Sequence, residues 1–536
     1  MREALNSFIK VLQINPAGTE VYHYIGATIS QVIFREPAPE IQTIIVKMLD
    51  FKTAVDPRDI LPPAIRLLKF DPVVTAAIEM KSDKIKLLVQ KVISDLSDLP
   101  LLLKIMSVSP IADLDLETVF TDIRSGLLHS ISEIIGQSEV LSFQSALALQ
   151  CFTNEYVYSQ TENESQELEA LEVLVGKSLL RGEQPSPQSI LCLAAYKSLS
   201  QYDWCHLLIV TTSIEEVFRR QVTAPEEEAS LKPNISLLRK ITDKVSAKVR
   251  KQYEENPYPR WVNLALPARP VSISVVAKDH GLCFFDAKIN NVSTPDILIG
   301  GCGTGQHSMS TAARFKNSSV LAIDLSLASL AYAKRQSQAF GFQNIKYIQG
   351  DILDLFKLER QFDIVESSGV LHHMNDPMTG WRSLTDRLKP SGIMRISLYS
   401  EAARQDVVKI QEEIRKAGIE PSDDAMKKFR QDIIKSSKEH HQRILKVGDF
   451  YSTSELRDLL FHVQEQRFTL TQIARCLSDL SLKFCGFELP NKTIQDFKVH
   501  NNNPDDFYDL YKWDRYEEAN PSTFINMYQF WCQKIT

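Results

Sequence analysis

Three glycines alternate with two small side chains in Asp296-Ile-Leu-Ile-Gly-Gly-Cys-Gly-Thr-Gly305, a spacing that lets main chain approach a ligand. At Gly301, Gly303 and Gly305 no Cβ stands in the way, and Cys302 and Thr304 fill the positions between them. Nineteen residues after Gly305 comes Asp324, an acid able to accept hydrogen bonds from both hydroxyls of a ribose. Its plainer use is as the N-cap of a helix over 327–339. Asp351 follows in Gly350-Asp351-Ile352-Leu353-Asp354, where the plainer reading is a surface turn. In Glu366-Ser-Ser-Gly-Val-Leu-His-His-Met374, His372 and His373 are the candidates for moving a proton.

These residues need a parallel sheet to hold them. Ile297 to Ile299, an apolar run bounded by glycine, predicts a buried strand, and Gln306 to Arg314 predicts the helix after it. Val320 to Asp324, Ile345 to Gln349, Phe362 onward and Ile393 to Leu398 repeat the buried-strand pattern. Asp324 and Asp351 each fall just beyond a strand's carboxyl end, where open α/β sheets bind ligands. A dinucleotide site wants Gly-x-Gly-x-x-Gly. Here the third glycine comes one residue early and Gln306 takes its slot, which disfavours a nicotinamide- or flavin-dependent enzyme.

Gly-x-Gly-x-Gly followed by Asp324, by Asp351, by the Phe362–Met374 stretch and by Leu388-Lys-Pro-Ser-Gly392 resembles the class I S-adenosylmethionine-dependent methyltransferases, in order and in spacing. The resemblance implies a Rossmann-like, mostly parallel seven-stranded sheet with S-adenosylmethionine as cofactor. It implies that Gly301, Cys302, Gly303, Thr304 and Gly305 pack on the methionine moiety and that Asp324, with Leu325 beside it, takes the ribose. Asp351 then faces the adenine amino group while Ile352 packs on the ring, and Glu366 joins the cofactor-binding set. Histidines like His372 and His373 occur in small-molecule members, where one is often structural. One position departs from the pattern: the family often carries an acid two residues before the first glycine, and here stands Ile299.

At 536 residues the chain is too long for one core, so two or three domains are expected. A net charge of −6 gives no footprint for non-specific nucleic-acid binding, and no apolar run approaches a membrane span. The eight cysteines form no Cys-x-x-Cys pair, which suits a reducing cytoplasm and argues against a disulfide framework or a zinc site; no metal is expected.

Ala4, Phe8, Val11 and Pro16 match the second helix of a tetratricopeptide (TPR) repeat, and Tyr22, Ile25 and Gly26 match the first helix of the next. Gly26 is the small residue that lets two helices of one repeat approach. The expected organisation is a partial TPR-like repeat at 1–50, a solenoid-like all-α region at 51–235 and a linker and cap at 236–290. The cofactor-binding core follows at 291–400, then a C-terminal extension with a helical lid and late strands at 401–536. The helical region is expected to recruit a protein or other macromolecular partner, or to serve only as a buttress. The segment Gln144 to Tyr158 resembles part of bacterial proteins that join TPR repeats to a methyltransferase domain, as do residues 240–261 and the C-terminal part. In the cap, Tyr253, Tyr258 and Trp261 are placed to close over the site, with Arg260 offered to the cofactor's carboxylate. Residues 402–446 are expected to be a solvated helical face, Cys485 to Leu489 a late edge strand, and Asn520 to Trp531 a docked aromatic helix. The rival from another class is a non-catalytic scaffold in which a degenerate methyltransferase fold accompanies the repeats.

Overall fold

The apolar runs that end at Gly300 and at Asp324 lie side by side as parallel strands, Ile297 against Val320 and Ile299 against Ala322, all four buried. They belong to a sheet of eight strands: β1 (Ser236–Leu237), β2 (Asp296–Gly300), β3 (Ser319–Asp324), β4 (Ile345–Gln349), β5 (Phe362–Ser368), β6 (Leu388–Leu398), β7 (Leu482–Phe487) and β8 (Tyr528–Lys534). The order across the sheet is β1-β4-β3-β2-β5-β6-β8-β7, with only β8 antiparallel to its neighbours. Seven strands were expected, and the eighth is the two-residue β1 paired to β4. Strand order reverses between β2 and β5, so the loop after β2 opens at the switch point of the sheet.

This computed structural model describes residues 2–14, 19–133 and 136–535, and it divides into two units. The sheet lies in the second, made of residues 228–259, 269–417 and 460–536. One face packs Leu298, Phe362, Trp381 and Met394 with the aromatics of the chain's last eighty residues; the other packs Ile297, Ile299, Ile364 and Trp531. Cys485 lies in edge strand β7, as expected. The aromatic stretch near the C-terminus is a correction: Tyr528–Lys534 is strand β8, paired between β6 and β7 with Phe530 to Gln533 all buried, and no helix runs from Asn520 to Trp531.

The first unit holds residues 1–227, 260–268 and 418–459 and is helical. Helices Thr19–Ile29 and Pro39–Asp50 lie against each other, with Tyr22 and Ile25 buried and a Cβ on Gly26 standing 3.0 Å from Val55 Cγ2 and 3.3 Å from Met48 Sδ. Pro16, which the repeat pattern uses, lies outside the described residues. Residues 418–459 correct the expected boundaries, because this part of the C-terminal extension folds with the first unit. The buried guanidinium of Arg430, on helix Asp423–Lys435, donates to both carboxylate oxygens of Glu117 at 2.6 Å and to the Phe450 carbonyl. Replacing Glu117 by leucine strands that cation in the core and should lower thermal stability by about 3 kcal/mol, read from calorimetric unfolding.

Candidate active site

The glycine loop adopts a conformation that side chains resist. Gly301 and Gly303 have φ of 77° and 50°. A Cβ on Gly301 would stand 2.2 Å from Val370 of the loop after β5, and one on Gly303 would stand 3.2 Å from the Tyr258 carbonyl. The N–H groups of Gly301 and Cys302 both donate to the Ile323 carbonyl, at 2.8 and 3.1 Å. The loop is thereby fastened to the end of β3, which delivers Asp324.

Asp324 is half-buried and accepts the Gly303 N–H at one carboxylate oxygen (2.8 Å) and the Ser326 N–H at the other (2.9 Å). It does not cap the following helix: that cap is Ser326, which accepts the Ser329 N–H, and the Glu254 carboxylate takes the N–H groups of Leu327 and Ala328. Burial raises the Asp324 pKa, opposed by those two N–H bonds. A carboxylate offers about four acceptor positions, and those that the N–H groups of Gly303, Ser326 and Leu325 leave open suit a ribose hydroxyl. Just past the end of the adjacent strand β4, Asp351 accepts the Leu353 N–H and caps the short helix Ile352–Lys357. It is buried, which raises its pKa, and the Ser246 hydroxyl opposes the shift. Ile352 is buried beside it, and Leu325 accepts a bond from the Gln349 amide through its carbonyl. A narrow main-chain cradle, a ribose acceptor and a second acid one strand away suit S-adenosylmethionine in size and polarity.

Helix Lys244–Glu255 and the residues after it are tied directly to this edge of the sheet. The Ser326 hydroxyl donates to the Tyr253 carbonyl and the Thr304 hydroxyl to the Pro259 carbonyl, at 3.0 and 2.5 Å. Tyr253 and Tyr258 stack with ring centroids 6.4 Å apart. Two of the three expected aromatics therefore sit by the loop. Arg260 and Trp261 do not belong with them, since both fold into the first unit. There Arg260 Nε lies 3.4 Å from the Glu155 carboxylate, with the guanidinium over the Phe152 ring, so Arg260 is committed to a carboxylate of its own chain.

On the acceptor side, His372 and His373 are both buried. His372 stacks on Tyr399 at 3.9 Å, and burial, with His373, Arg404 and His462 nearby, holds its pKa well below the usual imidazole range. His373 Nδ1 lies 2.7 Å from the Gln464 carbonyl, which assigns the proton to Nδ1 and the lone pair to Nε2. Burial drops the His373 pKa to about 4, despite that bond. Both rings are neutral at physiological pH, which argues against either as a strong base. His462 stacks on His373 at 3.6 Å, and its Nε2 lies 3.3 Å from the Tyr253 hydroxyl. No motif marks His462. Only its spatial neighbours do, and the sequence did not place them together.

Glu366 is a correction. Expected among the cofactor-binding residues, it is wholly buried beneath helix Gln306–Arg314, accepting bonds from His307 Nε2 (2.5 Å) and the Thr311 hydroxyl (2.8 Å). Burial pushes its pKa up, but the His307 bond and the nearby charges of His307, Arg395 and Arg314 win and hold it at about 2. Glu366 is the cross-strand neighbour of Ile299. The chain thus places an acid one strand over from the position where the family often has one, and that acid anchors the helix opened by the loop.

With this geometry in place the comparison with known families is direct. Residues 297–392 match the family model for a methyltransferase domain. The matched segment holds the glycine loop, Asp324, Asp351 and both histidines of the loop after β5. The chain is 28% identical over 243 residues to an uncharacterised protein of Synechococcus sp., covering 44% of this chain and 58% of that one. It is 33% identical over 98 residues to trans-aconitate 2-methyltransferase of Deinococcus radiodurans, covering 18% and 35%. It is 30% identical over 111 residues to malonyl-[acyl-carrier protein] O-methyltransferase of Priestia megaterium, covering 21% and 39%. The chain thus spans at most 58% of the length of these relatives. A solved structure of PKMT2 from Rickettsia typhi in complex with AdoHcy aligns at 17% identity with a TM-score of 0.37, over 50% of this chain and 54% of that one. No helix among the described residues is long and apolar enough to cross a membrane.

Proposed function

We propose that the chain is a methyltransferase that transfers the methyl group of S-adenosylmethionine by direct displacement to an acceptor presented at the loop after β5. The observation that carries this reading is the single junction where Asp324 holds both Gly303 and Ser326 at the switch point of the sheet. Bound there, S-adenosylmethionine supplies a methyl carbon already activated by its sulfonium. Main chain at Gly301 to Gly305 packs against the methionine end, and Asp324 and Asp351 take the ribose and adenine. Alignment and exclusion of water are then the chain's main tasks, and Tyr253 and Tyr258 serve the second.

The depressed histidines bear on the acceptor. An imidazole with a pKa of about 4 holds a proton too weakly to strip one from a hydroxyl or an ammonium at neutral pH. The reading therefore favours an acceptor atom that already carries a free lone pair there, such as a carboxylate oxygen. Both named relatives methylate molecules that contain carboxylates, which agrees with this. Initial rates at saturating cofactor should show no His373 titration between about pH 5.5 and 8. A rate that rises through an apparent pKa near 6.5 and loses the rise in His373→Asn would assign the base to His373.

The helical unit is read as the surface that recruits the acceptor's carrier, a protein or another macromolecule, in a TPR-like manner; a metabolite acceptor is the second version. Eight free cysteines, seven of them with raised pKa values and so poorly reactive, fit a cytoplasmic protein. The test is calorimetric titration of the intact chain with S-adenosylmethionine, repeated with Gly303→Arg. Saturable binding that the substitution abolishes supports the enzyme and opens a screen for acceptors with labelled methyl groups. No binding by a folded chain would leave the scaffold reading.

A further inference from the structure

One histidine that no motif marks joins the cofactor side of the second unit to its acceptor side. His462 Nδ1 accepts the Gln464 N–H at 3.1 Å, which places its proton on Nε2 and directs that proton toward the Tyr253 hydroxyl 3.3 Å away. One face of its ring stacks on the His373 ring, with centroids 3.6 Å apart and planes at 26°. Tyr253 is held through its carbonyl to Ser326, whose N–H binds Asp324. His373 is held through Nδ1 to the Gln464 carbonyl, two residues from His462. The stretch around 464 is itself pinned to the acceptor loop: Gln466 donates its N–H to the His372 carbonyl (2.7 Å) and its amide to the carbonyls of Met374 and Asn375.

We propose that His462 is a positioning residue for methyl transfer: it locks the Tyr253 cap over the cofactor to the acceptor loop that carries His373, so that the two sides hold one register. The inference rests on the methyltransferase reading. An edge contact and a face contact on one imidazole transmit the position of each neighbour to the other, because packed rings shift between discrete arrangements rather than deforming smoothly. The Nε2–H bond fixes the tilt of Tyr253, and Tyr253 in turn sits above the Asp324–Ser326 turn. Occupation of the ribose site should therefore stiffen the acceptor loop, and loss of His462 should uncouple the two.

The test is a double-mutant cycle on S-adenosylmethionine affinity in the full chain, using Tyr253→Phe, which removes only a hydroxyl, and His462→Gln, which can still donate to it. His462→Ala is the third single variant. Tyr253→Phe and His462→Ala should each weaken binding about tenfold, with the double variant no weaker than either single one, and His462→Gln should recover most of the loss. Additive losses, or unchanged affinity in Tyr253→Phe at an unchanged melting temperature, would overturn the proposal. If His462→Ala fails to fold, Tyr253→Phe and His462→Gln still decide it. Failure of the intact chain to bind S-adenosylmethionine would instead sink the methyltransferase reading, which the same titration separates. A second readout follows the backbone amides of Gly369 to Met374 by hydrogen exchange. Cofactor should slow their exchange in the intact chain and leave it unchanged in His462→Ala, whereas a purely structural histidine would shift both states alike.

Discussion

A chain carrying Asp324→Ala should bind S-adenosylmethionine at least about a hundredfold more weakly than the intact chain, read by calorimetric titration at neutral pH. A hydrogen bond from a ribose hydroxyl to an ionised carboxylate contributes roughly 1.5–3 kcal/mol, and the alanine removes it. It also frees the N–H groups of Gly303 and Ser326, so the glycine loop loses its fastening to β3 at that point. Asp324→Asn separates the two contributions. The amide keeps an acceptor for one N–H but turns a donor toward the other, and it carries no charge. An affinity for the asparagine variant between those of the intact and alanine chains is expected. Equal affinity in all three would mean that the cofactor's ribose lies elsewhere, and with it the argument from the β2–β3 edge would fall.

The core of this site was legible in the sequence because its chemistry is local. Glycines at alternate positions, an acid at the end of the next strand and another at the end of the third are spacing signals, and the sheet needs only the parallel order to bring them to one edge. What the sequence did not show depended on contacts across long separations. Glu366 reads as part of a loop, yet its carboxylate turns under a helix sixty residues earlier because His307 is there to receive it. Arg260 follows Tyr258 by two positions, and only the fold shows that the chain changes units between them. His462 has no pattern around it at all. The C-terminal aromatic stretch reads as a helix for a different reason: Phe530 to Gln533 are all buried in a strand flanked by β6 and β7, and a short, continuously buried run cannot be told from a buried helix by periodicity alone.

The correction at Glu366 leads to the largest stability effect expected of the second unit. Glu366 and Glu488 are both buried carboxylates held at about 2 against burial, which alone would raise them: Glu366 by His307 with Arg395 and Arg314, Glu488 by Arg395, Arg314 and His280. Arg395 binds Glu488 at 2.6 Å, and the Trp531 indole donates to the other oxygen at 2.8 Å. A carboxyl whose folded pKa lies below its unfolded value near 4.5 contributes stability that is fully present above that value and is lost as pH falls toward the folded pKa. Each shift corresponds to about 3 kcal/mol, and the two do not simply add, because both carboxylates draw on Arg395 and Arg314. Urea unfolding followed by Trp381, Trp513 and Trp531, all buried in the second unit, should show stability flat from about pH 7 to 5 and falling steeply between 4.5 and 2. Glu366→Gln should lower stability at pH 7 and make the acid limb shallower, because the variant has one less proton to take up on unfolding. A limb of unchanged slope would show that Glu366 keeps an ordinary pKa, and that His307 and Thr311 only hold it in place. The two outcomes distinguish a carboxylate that anchors the helix by its charge from one that does so by hydrogen bonding alone.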